Sequence, residues 1–226
     1  MLVKVKPFPL LPPAVGRSPL VQNLGFVLLA NWLCQGMRGM GRRELAGRLV
    51  LELLLAGLGA SVAAALGAQG STALLAGLLA AHTLQFLANG QLWVCLRYAR
   101  WLRLDPARCR LFLDGLVQEL RALPWLREAA CIGSLAASPH RFGPHSDIDV
   151  RVVFAPGLAG FLRTHRLLLR LRWRALVRRV PLDLGALDQP RDFRAFRADE
   201  PVAVILDRDG RLRGELAGVR ALVAWP

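Results

Sequence analysis

The sequence predicts two unlike parts: an all-α helical hairpin that crosses a membrane, then an α/β (α+β) domain built on a small mixed sheet with flanking helices. Three observations predict them. The 44 residues from Leu53 to Leu96 contain no Asp, Glu, Lys or Arg, about twice the roughly 20 apolar residues that one spanning helix needs. Beyond Leu104, segments of helical and strand period follow in the order helix, strand, strand, helix, strand, helix, strand, the pattern of a sheet with helices packed against it. In the second of those strands, "SDIDVRVVF", Asp147 and Asp149 take alternate positions, where a strand would otherwise bury apolar side chains. The boundary falls at "RLDPAR", dividing a membrane-associated region 1–104 from a domain 105–226.

Composition agrees with this division. The chain is 54% hydrophobic but only 7% aromatic, and 30 Lys+Arg against 16 Asp+Glu leave a net charge of +14. Such a charge favours phosphate-rich partners, among them anionic lipids and nucleotides, and it also follows from the positive-inside bias of membrane proteins. Cys34, Cys95, Cys109 and Cys131 are scattered without a CxxC pair, which suggests neither a zinc site nor a disulfide framework.

Prolines interrupt residues 1–19, which read as an irregular arm rather than a secretory signal. Residues 20–37 are uncharged but diluted by Gln, Asn and Gly, so an interfacial or partly buried helix is favoured over a third span. The spans are placed at about 49–66 and 73–96, broken at "GAQGST". Arg38, Arg42, Arg43 and Arg48 precede the first span and Arg97, Arg100 and Arg103 follow the second, while the turn is uncharged. Both ends of the hairpin, and everything after Leu104, are therefore expected in the cytoplasm, in a multi-pass protein of the cell membrane. Gly57, Gly59, Ser61, Ala63 and Ala64 suit close helix approach, and Trp93 and Trp101 are expected near the interface. His82, Gln85 and Asn89 share a helical face, as either a polar path or a seam of helix-to-helix hydrogen bonds.

In the second half, Asp105 is a natural N-cap and Pro106 suits the first helical position, starting a helix that runs to about Ala122. Residues 129–132 and 147–154, "VPLDLGAL" and "PVAVILDRD" read as strands, and "FLRTHRLLLRLRWRALVRR" as a long helix. Its arginines Arg163, Arg166, Arg170, Arg172, Arg174, Arg178 and Arg179 form either a face for phosphate, RNA or anionic lipid, or a solvated face near the membrane. No aromatic ladder speaks for nucleic acid.

Strand alternation puts Asp147, Asp149 and Arg151 on one face and Ile148, Val150 and Val152 on the other. Two carboxylates so close repel unless a cation or proton lies between them, and oxygen-only ligands beside phosphate suit Mg²⁺. Thirteen residues before Asp147 stands Ser134 in "IGSL"; a Gly-Ser turn between strand and helix offers free amides and a hydroxyl to a triphosphate. Asp183, bracketed by Leu182 and Leu184, can point to the same face.

Ile132-Gly133-Ser134, a gap of about a dozen residues, Asp147-Ile148-Asp149 and the later strand residue Asp183 together resemble the nucleotidyltransferase superfamily that includes DNA polymerase beta and kanamycin nucleotidyltransferase, over about residues 107–213. The resemblance implies an Mg-dependent transfer of a nucleoside monophosphate from an NTP, with two Mg²⁺ ions held by Asp147, Asp149 and Asp183. It makes those three the catalytic residues, Asp183 helping to activate the acceptor, and Gly133, Ser134 and Arg151 the nucleotide-binding ones. The acceptor it leaves open, as glycan-linked, lipid-linked or protein. The loop "LAASPHRFGPH" lacks an Arg-Gly after the Gly-Ser, and Arg151 stands where an apolar residue is frequent. Arg151 either neutralises phosphate or balances the aspartates; His140 and His145 either approach the ribose or are solvated. The other expectation is a degenerate nucleotide-binding protein that regulates a partner at the membrane without turnover.

Overall fold

The computed structural model describes residues 18–19, 21, 23–35, 39–97, 99, 102, 104–137, 143, 146–196, 201–219 and 221–225. In order, these form α1 (Leu24–Cys34), α2 (Arg42–Ala65), α3 (Gly70–Ala88), α4 (Gln91–Leu96), α5 (Pro106–Ala122), β1 (Glu128–Ile132), α6 (Ser134–Ala137), β2 (Ile148–Val153), α7 (Gly157–Val177), β3 (Leu182–Leu187), a 3-10 turn (Pro190–Ala195), β4 (Val202–Asp207), α8 (Arg211–Leu216) and β5 (Leu222–Ala224). The class is mixed α and β, with a five-stranded mixed sheet in the order β3-β2-β1-β4-β5. β1 runs antiparallel to β2 and β4, while β2–β3 and β4–β5 are parallel.

The sheet has two unequal faces. Ile148, Val150, Val152, Leu182 and Leu184 pack under α5 and α7 in the larger core, with Leu116, Leu120, Leu168 and Leu171 facing them. On the other face, Ile132, Val153 and Val204 meet Phe193, Leu212 and Leu216 of the 3-10 turn and α8. This smaller core covers only part of that face, and Asp149, Arg151 and Asp183 occupy the rest. Helix α5 starts at Pro106 and ends at Ala122, with the Asp105 side chain accepting from the Ala107 and Arg108 amides at 3.0 and 3.3 Å. Helix α8 and strand β5 come after the turn at Asp209–Gly210, where the sequence predicts nothing more. Six and three residues long, they are too short for a periodic signal.

Helices α2 and α3 are long and apolar enough to cross a membrane. The second span is shorter than the predicted 73–96. It stops at Ala88, because Asn89 and Gly90 (φ +73°) break it and α4 follows as a separate turn and a half. At 11 residues, or about 16 Å, α1 is too short to cross. Of the small residues expected at the crossing, Gly59 makes the contact, with the Gly77 Cα 3.0 Å from where its Cβ would stand, whereas Gly57 faces open space. Across from it, Ala73, Gly77 and Ala81 line the buried face of α3 at four-residue spacing.

The hairpin is inside out compared with a soluble helix pair. The buried residues of α2 are Glu44, Arg48 and Glu52, while Leu53 and Leu54 are 71% and 67% exposed. The polar stripe of α3 is a seam between helices. His82 meets Glu52 at 2.5 Å and the Trp32 carbonyl at 2.8 Å, Gln85 donates to the Arg48 carbonyl, and Asn89 donates to Gln35.

Candidate functional site

The expected constellation begins at the end of β1. Gly133 takes φ +78°, a region open to glycine and costly for other residues, and a Cβ there would lie 2.8 Å from Asp149 Oδ2. The chain therefore turns with bare backbone against the Asp149 carboxylate. Ser134 opens the four-residue α6; its side chain lies outside the described residues, as do His140, His145 and Trp101.

On the sheet, Asp149 is paired with Ile132 of β1 on one side and with Asp183 of β3 on the other. Opposed positions on adjacent strands share a face, so Asp149 and Asp183 stand together as the sequence predicts. Asp147 precedes the first residue of β2. Its carboxylate is met by Arg97 Nη1 from the end of α4, a contact that only the fold makes, since 50 residues separate the two.

Arg151 lies across Gly185, its register partner on β3. Its guanidinium donates to the Asp183 carboxylate at 2.9 Å and to the Asp183 carbonyl at 2.7 Å, with the Phe196 ring 5.5 Å away. Burial by itself raises the Asp183 pKa, but the charge and hydrogen bond of Arg151, with Arg172 and Arg48 farther off, outweigh it and hold the carboxyl below the usual aspartate value. Burial likewise opposes the charge on Arg151, and Asp183 and Asp149 reverse that, raising its pKa. Arg151 thus balances an aspartate, one of its two expected roles. Burial, with Asp149 and Asp147 nearby, also pushes the Cys131 thiol well above its ordinary pKa.

Four carboxylates and arginines that sequence reasoning did not single out, or read otherwise, secure the edge strand that carries Asp183. Glu44 is fully buried. One of its oxygens accepts the Ala186 amide at 2.5 Å and the other accepts from Arg48 and Arg172. Arg172 also donates to the Leu184 carbonyl, and Gly41 N–H donates to the Ala186 carbonyl at 2.7 Å. The start of α2 therefore supplies the hydrogen bonds that an outer strand would give β3. Asp188 completes the joint by accepting the Arg42 and Arg43 amides, at 2.8 and 3.1 Å, in the first turn of α2. Two open clefts, about 390 and 250 Å³, flank Asp188 rather than the aspartate trio.

No family model, curated protein or solved structure matches the chain. The site's meaning thus rests on its own geometry. Arg48 and Arg97, read from the sequence as topogenic charges, are both buried ion-pair partners, and Arg172 differs from its neighbours on α7 in the same way. For Arg48 a signal was available in the scarcity of carboxylates: residues 1–104 hold two, Glu44 and Glu52, and an acidic group beside an apolar span calls for a cation nearby. For Arg97, paired with Asp147, and Arg172 on α7, local sequence carried no such signal.

Proposed function

We propose that the chain is a membrane-anchored, Mg-dependent nucleotidyltransferase that moves a nucleoside monophosphate from an NTP to an acceptor. The observation that carries this reading is the pairing of Asp149 with Asp183 on one sheet face, with the Gly133 backbone turned against Asp149. The oxygen ligands Asp147, Asp149 and Asp183 are of the chemical type a hard divalent cation takes, although among the described residues no three carboxylates stand together as a ready-made metal group. The chemistry that two Mg²⁺ supply when bound is neutralisation of the phosphoryl oxygens and of the leaving pyrophosphate. The chain's own part is geometric. The Gly133-Ser134 turn presents amides to the triphosphate, Arg151 holds Asp183 in place, and Asp183 stands at the edge strand to orient the acceptor hydroxyl. The inside-out burial of the hairpin supports the membrane anchor, because charged residues inside and leucines outside match a lipid solvent.

A second reading, a nucleotide-binding regulator without turnover, has a specific observation in its favour. Asp147 and Asp183 are already paired with guanidinium groups, and Asp183, held below its usual pKa, is a weak base. One experiment decides between them: purified chain in lipid nanodiscs, given Mg²⁺, each α-labelled NTP and membrane extract, with Asp149→Asn alongside. Pyrophosphate release lost in Asp149→Asn supports the enzyme. Calorimetric NTP binding without release favours the regulator, and absence of binding overturns both.

A further inference from the structure

The outer face of α7 is amphipathic in a way the fold does not use. Leu158, Leu162, Leu169, Trp173 and Val177 are all exposed, Trp173 at 59% and Val177 at 66%. At 3.6 residues per turn they fall within a stripe of about 100°. Arg166 lies inside that stripe, and Arg163 and Arg170 run along one flank; all three are exposed, with Arg170 also paired to Glu119. The opposite side of α7, with Leu168, Leu171 and Ala175, is sealed in the main core.

The flank of the stripe away from those arginines is the side that meets the hairpin. His165 packs over Gly47 of α2, Arg172 reaches Glu44 and Asn89, and the Trp93 indole of α4 donates to the Leu176 carbonyl at 2.8 Å. Going round the helix, the order is hairpin, apolar stripe, arginine row. An interfacial helix has this arrangement: apolar residues reach about 5–10 Å into the acyl boundary and basic residues sit at the headgroups.

We propose that the outer face of α7 lies on the anionic surface of the membrane that the hairpin crosses. This rests on the membrane reading of α2 and α3. Its occupant is lipid rather than protein, because the stripe borders the side of α7 that packs on the hairpin and its arginines complement phosphate headgroups. Docking there would hold the sheet at a fixed height above the bilayer, with β3 and Asp183 on the hairpin side.

The test uses the full chain with Cys34→Ser, leaving the three buried cysteines, in nanodiscs of about one-third phosphatidylglycerol. Spin labels are placed singly at Leu58→Cys, Leu169→Cys, Trp173→Cys and Ala107→Cys. Oxygen-over-nickel collision ratios at 169 and 173 are expected at least about fivefold above the aqueous value at 107, and to fall when Arg163 and Arg166 are both changed to Glu. An aqueous value at 169 and 173 with a lipid value at 58 overturns the docking alone. An aqueous value at 58 as well brings down the membrane reading. Spin–spin broadening that requires two copies per disc assigns the face to a second copy and overturns the proposal.

Discussion

At Arg151 and Asp183, a buried cation meets a carboxylate that is 29% exposed. The folded-state pKa of Asp183 lies below the aspartate value of 3.8. The pair's contribution to stability is therefore fully present above that value and is lost as pH falls through the lower folded one. Asp183→Asn should lose about 2–3 kcal/mol at pH 7, because buried Arg151 loses the carboxylate it hydrogen-bonds. Its melting temperature should also fall less steeply in acid than that of the wild type, a comparison read by thermal melts across acid pH. Arg97 makes a separate prediction. It neutralises Asp147, so Arg97→Gln should remove a repelling charge and raise Mn²⁺ affinity about tenfold or more, as followed by electron paramagnetic resonance; a weaker or equal affinity would show that Asp147 takes no part in cation binding.

At the scale of elements, α2 and α3 cross where side chains are smallest. A Cβ on Gly77 would run into the backbone of Ala56 and Ala60, whereas one on Gly57 would meet nothing within 4 Å. Gly77→Leu should therefore separate the helices, costing about 2 kcal/mol or more, while Gly57→Leu should be nearly neutral in the same detergent-denaturation assay. The pair separates packing from composition, since both substitutions add the same apolar volume. That small residues of α2 would sit at the crossing was legible in the sequence; which of them would make the contact, and that Ala73, Gly77 and Ala81 would line the facing side of α3, was not, because helix rotation is set by the partner.

Across the whole molecule, Glu44 joins the hairpin to the sheet. It is fully buried and serves two arginines and a strand amide. Glu44→Gln should cost about 3–5 kcal/mol by stranding buried arginines and should speed hydrogen exchange at Ala186, whose amide Glu44 accepts on the outer edge of β3. Orientation is a second property at this scale. With arginines at both ends of the hairpin and none in its turn, a thiol at Gln69→Cys in the Cys34→Ser background should react with impermeant maleimide on intact cells, and one at Ala107→Cys only after lysis. The reverse pattern would invert the topology.

The shared face of Asp149 and Arg151 and the positive-φ turn at Gly133 followed from local rules, since strand period and glycine conformation act within a few residues, whereas Asp147, read as a strand residue, lies just before β2. The 44 uncharged residues likewise determined two apolar helices, through length and composition alone. What only the tertiary structure decided were pairings across long separations: Arg97 with Asp147, 50 residues apart, Glu44 with Arg172, 128 apart, and Glu44 with Ala186, 142 apart. Charge and hydrophobic pattern say that a buried cation needs a partner, but not which one. That choice depends on how the hairpin end meets the β3 edge, and the contact forms only when both elements are folded.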